Sequence, residues 1–256
     1  MFRLCGFLRE EAGLGDELPV DLGKIYQRFC IPEPLRVPLD QQQGILLDSY
    51  KGVILIKEND PIVRQRFTEG HELVELLFDV QSDVQQELGL PSWAEARKEQ
   101  LCDAGAAELL MPRSSFGDRL ANLGVSLAAA RKLALLYQTS LVATLRRMLD
   151  LTDAGYALVL WHHALKPTEI RRDPRQAQPK LRIQWSKTNS HWQGGYIPKD
   201  KSIGPDSLIS QADDTGIAQI GTETFVWGGK ELTCQVEAMP LKTGDRAYVV
   251  SLLKLA

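Results

Sequence analysis

The segment IVRQRFTEGHELVELLFDV, residues 62–80, constrains this chain more than any other stretch. Its apolar residues Phe67, Leu73, Val74, Leu76, Leu77 and Phe78 recur at helical spacing, which predicts a helix buried on more than one side. Thr68 is read as its N-cap. On a helix, residues i and i+4 share a face, so His71 and Glu75 lie one turn apart and can hold one cation between them. Glu72 follows His71, rotated by about 100°. Two donors on one turn do not complete the coordination of a metal, so a third has to come from elsewhere. The candidate is Glu99, in the helical run WAEARKEQLCDAGAAELLM (93–111), which has to stop before Pro112. Asp103, one turn beyond Glu99, is suited to take the free ring N–H of His71 and fix its tautomer. Taken alone, the pattern also describes a solvated acidic face with one satisfied histidine.

Around these two runs, DELPVDLGKIYQRFCI (16–31) predicts a short helix, and 32–40, with three prolines, an extended connection. Ile45–Leu47 and Val53–Ile56 flank a turn near Tyr50–Gly52 and predict a hairpin, with 53–57 offering an edge to an extended peptide. Gly89, Leu90 and Pro91 break the helical pattern. Residues 114–122 and 126–149 are read as helices, and GYALVLWHHAL (155–165) as a strand on which His162 and His163 point to opposite faces. The polar, proline-containing stretch 171–180 is the expected linker between a first domain at 1–170 and a β-rich domain at 181–256.

The formal net charge of −3 predicts no general attraction to nucleic acid or to an anionic membrane. Arg171, Arg172, Arg175, Lys180 and Arg182 form a local basic cluster, read as a solvated linker. No run of about 18 apolar residues is present, so no membrane span is expected. The N-terminus is a poor signal peptide, and four widely spaced cysteines without a CxxC pair suggest free thiols in a reducing cytoplasm. P-loop, GxGxxG and GxSxG patterns are absent.

RQRFTEGHELVELLF followed by EQLCDAGAAELLMP resembles the ImmA/IrrE family of metallopeptidases, in which an RxxFTxxHExxH helix precedes an ExxAxxFAAxLLMP helix. The resemblance covers roughly residues 18–150. It implies an α+β fold: a mostly helical, zincin-like metallopeptidase domain with a small N-terminal β-sheet, followed by the β-rich domain. It makes His71 the first metal ligand, Glu72 the general base and Glu99 the third ligand. Position 75 departs, because the second ligand histidine of the family is a glutamate here. A His71–Glu75–Glu99 set would hold a divalent metal, Zn²⁺ first, with Mn²⁺ made more competitive by the second carboxylate. Cys102 and Gly105 stand where the pattern has Ala and Phe, which predicts altered packing beside the site.

The implied activity is metal-dependent peptide hydrolysis, and the implied partner is a protein substrate such as a helix-turn-helix repressor. The alternative is a catalytically degenerate regulatory or interaction module on the same scaffold. Geometry separates the two. Convergence of His71, Glu75 and Glu99 on one point supports the first. A Glu75 that turns away or pairs with a basic residue such as Arg66 supports the second.

Overall fold

The computed structural model describes residues 2–87, 95–172, 178–244 and 246–256. The helix break at Gly89–Pro91 lies outside these residues, as do 173–177 of the expected linker. The chain divides into two compact units, one of residues 1–123 and 131–144 and one of 124–130 and 145–256.

In the first unit, α1 (Phe2–Glu11) and α2 (Gly23–Arg28) precede a three-stranded sheet of β1 (Leu35–Val37), β2 (Gly44–Asp48) and β3 (Val53–Lys57) in the order β1-β3-β2. The proline-rich connection therefore contains a strand, β1, parallel to β3. The hairpin forms as its sequence predicts, β2 antiparallel to β3. β3 is the central strand, so 53–57 offers no edge; the edges are β1 and β2. A short apolar run cannot reveal this, because a central and an edge strand of five residues read alike in sequence.

Two long helices follow, α3 (Ile62–Glu87) and α4 (Glu95–Leu110), packed against each other. Helix α3 begins before Thr68, which lies mid-helix and buried rather than at an N-cap. The start is set upstream, where Arg64 and Gln65 donate backbone N–H to Pro61 O and the Gln65 side chain donates to the carbonyls of Glu58 and Asp60. The helices approach closely at Gly70, where a Cβ would stand 3.4 Å from Ala106 Cα. Cys5 of α1 is fully buried against α4, and its thiol donates to the backbone oxygen of Gly105 at 3.7 Å.

Beyond Pro112, α5 (Arg113–Leu123), α6 (Leu127–Tyr137) and α7 (Leu141–Leu151) follow. The stretch 126–149 is thus two helices. The break falls at Gln138, whose φ is +50°, and at Ser140, whose hydroxyl accepts the Ala143 N–H as a helix start does.

In the second unit, β4 (Tyr156–Ala164), β5 (Lys180–Thr188), β6 (Gln219–Trp227), β7 (Lys230–Thr243) and β8 (Arg246–Leu255) make one antiparallel sheet in the order β5-β4-β8-β7-β6. The strand expected at 155–165 is present, and its partners β5 and β8 are both C-terminal. Helix α9 (Leu208–Thr215) packs on β6, β7 and β8, over a core that includes Trp161, Ile183, Phe225, Val236 and Val249. Trp161 Nε1 donates to Ser251 Oγ at 2.8 Å inside this core. The basic cluster is partly structural: Arg182 is buried and paired with Glu169, on α8 (Pro167–Arg172).

Candidate functional site

Helix α3 carries Thr68, His71, Glu72, Glu75 and Asp79 toward two neighbours, the sheet and α4. Glu72 faces the sheet. A Cβ built on Gly44, at the start of β2, would lie 2.4 Å from Thr68 Cγ2 and 2.6 Å from Glu72 Oε1. The absent side chain at 44 therefore makes the room in which the Glu72 carboxyl sits. Glu72 is buried, and burial, reinforced by the nearby Glu75 carboxylate, pushes its pKa up to about 7. Such a group can hold or give up a proton near neutrality, as a general base must.

His71 faces α4. Its Nδ1 lies 3.0 Å from Asp103 Oδ1, and its Nε2 lies 3.5 Å from Glu99 Oε2. Burial works against the imidazolium, but the Asp103 hydrogen bond and charge, with Glu72 and Glu99 behind them, outweigh it and raise the His71 pKa. Two ligands of one tetrahedral zinc stand roughly 3.3–3.6 Å apart, given bonds of about 2.0–2.2 Å. The His71–Glu99 pair has that spacing, and the Asp103 contact is the orienting one that a ligand histidine requires.

Glu75 is engaged elsewhere. Its Oε1 accepts from the Lys98 ammonium at 2.8 Å, and the same ammonium donates to Asp79 Oδ1 at 2.7 Å. These side chains are only 15% exposed for Lys98 and 21% for Glu75. Burial disfavours the ammonium, yet its bonds to Asp79 and Glu75 prevail and hold its pKa above the usual lysine range. Arg66, the partner considered from sequence, donates instead to Val20 O at 2.7 Å. Among the described residues, no three His, Cys, Asp or Glu side chains are placed to hold one metal ion. The donor chemistry is that of a metal site, but the placement is not: two donors face one another, and the third is held by an ammonium.

The residues that sequence reasoning missed are Lys98, Asp79 and Gly44. Asp79 carried a signal, since it stands one turn beyond Glu75, and two carboxylates at that spacing demand a cation. Cys102, beside Glu99, is buried, and burial pushes its thiol up to about 12, so it offers no thiolate at neutral pH.

Residues 35–149 match the family model of the IrrE N-terminal-like domain, peptidase family M78. This segment belongs to the ImmA/IrrE family. The matched range contains the candidate-site residues from Gly44 to Asp103. The ImmA/IrrE family is one of regulator-associated metallopeptidases. Among solved structures, the whole chain is similar to a Mycobacterium tuberculosis transcriptional regulator, with 12% sequence identity and a TM-score of 0.63 over 99% of this chain and 75% of that one. At that identity the likeness is one of fold. No curated protein matches the chain. No helix among the described residues is long and apolar enough to cross a membrane.

Proposed function

We propose that this chain is a regulatory, protein-binding module built on the ImmA/IrrE scaffold, with its peptidase-type site closed by an internal cation. The observation that carries this reading is the Lys98 ammonium, bonded at 2.8 Å to the one residue that departs from the family's ligand pattern, Glu75. A half-buried ion pair of this kind is little screened by water. Breaking it leaves a charge without a partner, so Glu75 is not readily released to a metal. The family's association with regulators and the fold shared with a transcriptional regulator support a role in transcriptional control. The partner we infer is a helix-turn-helix repressor or a similar protein, met in the cytoplasm.

A second reading has its own observation. The Nε2 of His71 and Glu99 stand at ligand-pair spacing, Asp103 orients the ring, and Glu72 titrates near neutrality. These features support metal-dependent peptide hydrolysis, with His71, Glu75 and Glu99 as the ligand set and Glu72 as base. That reading requires Glu75 to leave Lys98.

Elemental analysis of the full chain purified without chelator separates the two, alongside cleavage assays on candidate repressors with Zn²⁺ or Mn²⁺ supplied. The regulatory reading expects substoichiometric metal and no cleavage, for wild type and Glu72→Gln alike. One equivalent of retained metal, with cleavage that Glu72→Gln abolishes, would overturn it.

A further inference from the structure

We propose that the groove between α5 and α6 docks an acidic, amphipathic helix of a partner protein. The groove encloses about 260 Å³ and is lined by Arg119, Asn122 and Leu123 of α5 and by Lys132, Leu133 and Leu136 of α6. All of these residues belong to the first unit. The two helices repeat one arrangement: a cation stands one turn before a leucine on the same face, Arg119 before Leu123 and Lys132 before Leu136. Leu123 and Leu136 are each 42% exposed, the adjacent Leu135 is 80% exposed, and buried Leu133 completes the apolar lining. The helices are tied together at Tyr137, whose ring packs on Phe116 at 5.1 Å between centroids and whose hydroxyl lies 3.0 Å from Ser115 Oγ. The Arg119 guanidinium is held over the Tyr137 ring, 5.9 Å from its centroid, and donates to Ser115 O at 2.9 Å. Among the described residues, neither Arg119 nor Lys132 pairs with a carboxylate.

Size, backbone chemistry and charge name the occupant. The volume falls below the roughly 300–1,000 Å³ of small-molecule sites and suits inserted side chains. Helical walls spend their backbone groups on intrahelical bonds, so the groove offers no edge to an extended strand. A docking segment has to satisfy its own backbone, as a helix does. The guanidinium and the ammonium at the rim call for carboxylates, and apolar residues at i, i+3 or i+4 and i+7 of the incoming helix cover the leucines. A second copy of this chain would bring the same two cations to the same groove, and like charges repel. Nucleic acid would match the cations but leave the leucines against phosphate, and the net charge of the chain is −3. The inference rests on the protein-binding reading for there being a protein partner, and it does not depend on Glu75, Lys98 or a metal.

The test uses the full chain and a fluorescein-labelled peptide of Ala, Leu and Glu, with Leu at i, i+3, i+4 and i+7 spacing and Glu flanking it, read by fluorescence anisotropy. Controls are the same peptide with Lys in place of every Glu, and a labelled DNA duplex. The Glu peptide should bind wild type saturably, more tightly than the Lys peptide by about tenfold or more. Leu136→Asp and Lys132→Glu should each weaken that binding by about tenfold or more. Val226→Asp, at an exposed apolar residue of the second unit, should leave it unchanged. Lys132→Glu should also gain affinity for the Lys peptide, which a misfolded chain would not do, so the inference stays testable if Leu136→Asp does not fold. The inference is overturned by no saturable binding of the Glu peptide, by binding that the groove variants leave untouched, or by a preference for the duplex. Wild-type self-association in sedimentation that Leu136→Asp abolishes overturns it as well, in favour of a second copy. These outcomes leave the closed-site reading intact; retained metal with cleavage that Glu72→Gln abolishes overturns that reading and not the groove.

Discussion

Glu72 is buried against β2, with burial and the Glu75 carboxylate pushing its pKa up to about 7 from an ordinary value of 4.5. A carboxyl raised on folding makes the folded state bind its proton more tightly than the unfolded chain does. Its contribution to stability is greatest below the unfolded value and is lost as pH rises through about 7. Glu72→Gln removes this dependence. Urea unfolding of the variant should show a flatter decline between pH 4.5 and about 7 and a gain on the order of 1–3 kcal/mol above that range. An unchanged pH slope would contradict the buried, proton-holding carboxyl. At this scale the sequence was most informative about His71, Glu99 and Asp103. Helical spacing and the family motif specify which atoms such residues present, and the structure places His71 against both carboxylates. Lys98 was not legible. Whether a lysine beside Glu99 points to solvent or into α3 depends on the rotation of α4 about its own axis, which long-range packing sets.

At the scale of elements, the site depends on how closely β2 and α4 approach α3, and small residues govern both contacts. Gly70 admits Ala106, and Gly44 admits the Thr68 methyl and the Glu72 carboxyl. Gly44→Ala would place a methyl 2.4 Å from Thr68 Cγ2, so α3 and β2 have to separate or Glu72 has to swing away. The expected cost is about 1–3 kcal/mol. A ¹³C-carboxyl titration should find the Glu72 midpoint moved down toward the ordinary carboxylate range, since separation wets the group; an unmoved midpoint would show that Gly44 does not shape its surroundings. Element types were largely readable from periodicity, because α3, α4 and the hairpin strands each carry a sustained apolar pattern. Partners and breaks were less so. The central position of β3 and the pairing of β4 with β8, nearly a hundred residues away, are long-range choices that a local pattern does not encode. The interruption between α6 and α7 rests on the turn chemistry of Gln138–Ser140, inside a stretch whose Ala and Leu content reads as unbroken helix.

At the scale of the whole molecule, two compact units each have a buried interior of their own. Such units are expected to unfold with separable transitions. In calorimetry, Gly44→Ala should lower one transition. Trp161→Phe should lower the other by about 1–3 kcal/mol, because it leaves the buried Ser251 hydroxyl without its partner. A single transition displaced by both substitutions would contradict that division. The central claim concerns the first unit: an ImmA/IrrE domain in which Lys98 pairs with Glu75 while His71 faces Glu99. Calorimetric titration of chelator-stripped wild-type protein with Zn²⁺ and Mn²⁺ tests it most directly. The account predicts no saturable one-to-one binding of either ion to the wild-type chain. Stoichiometric binding that disappears in His71→Ala would contradict it.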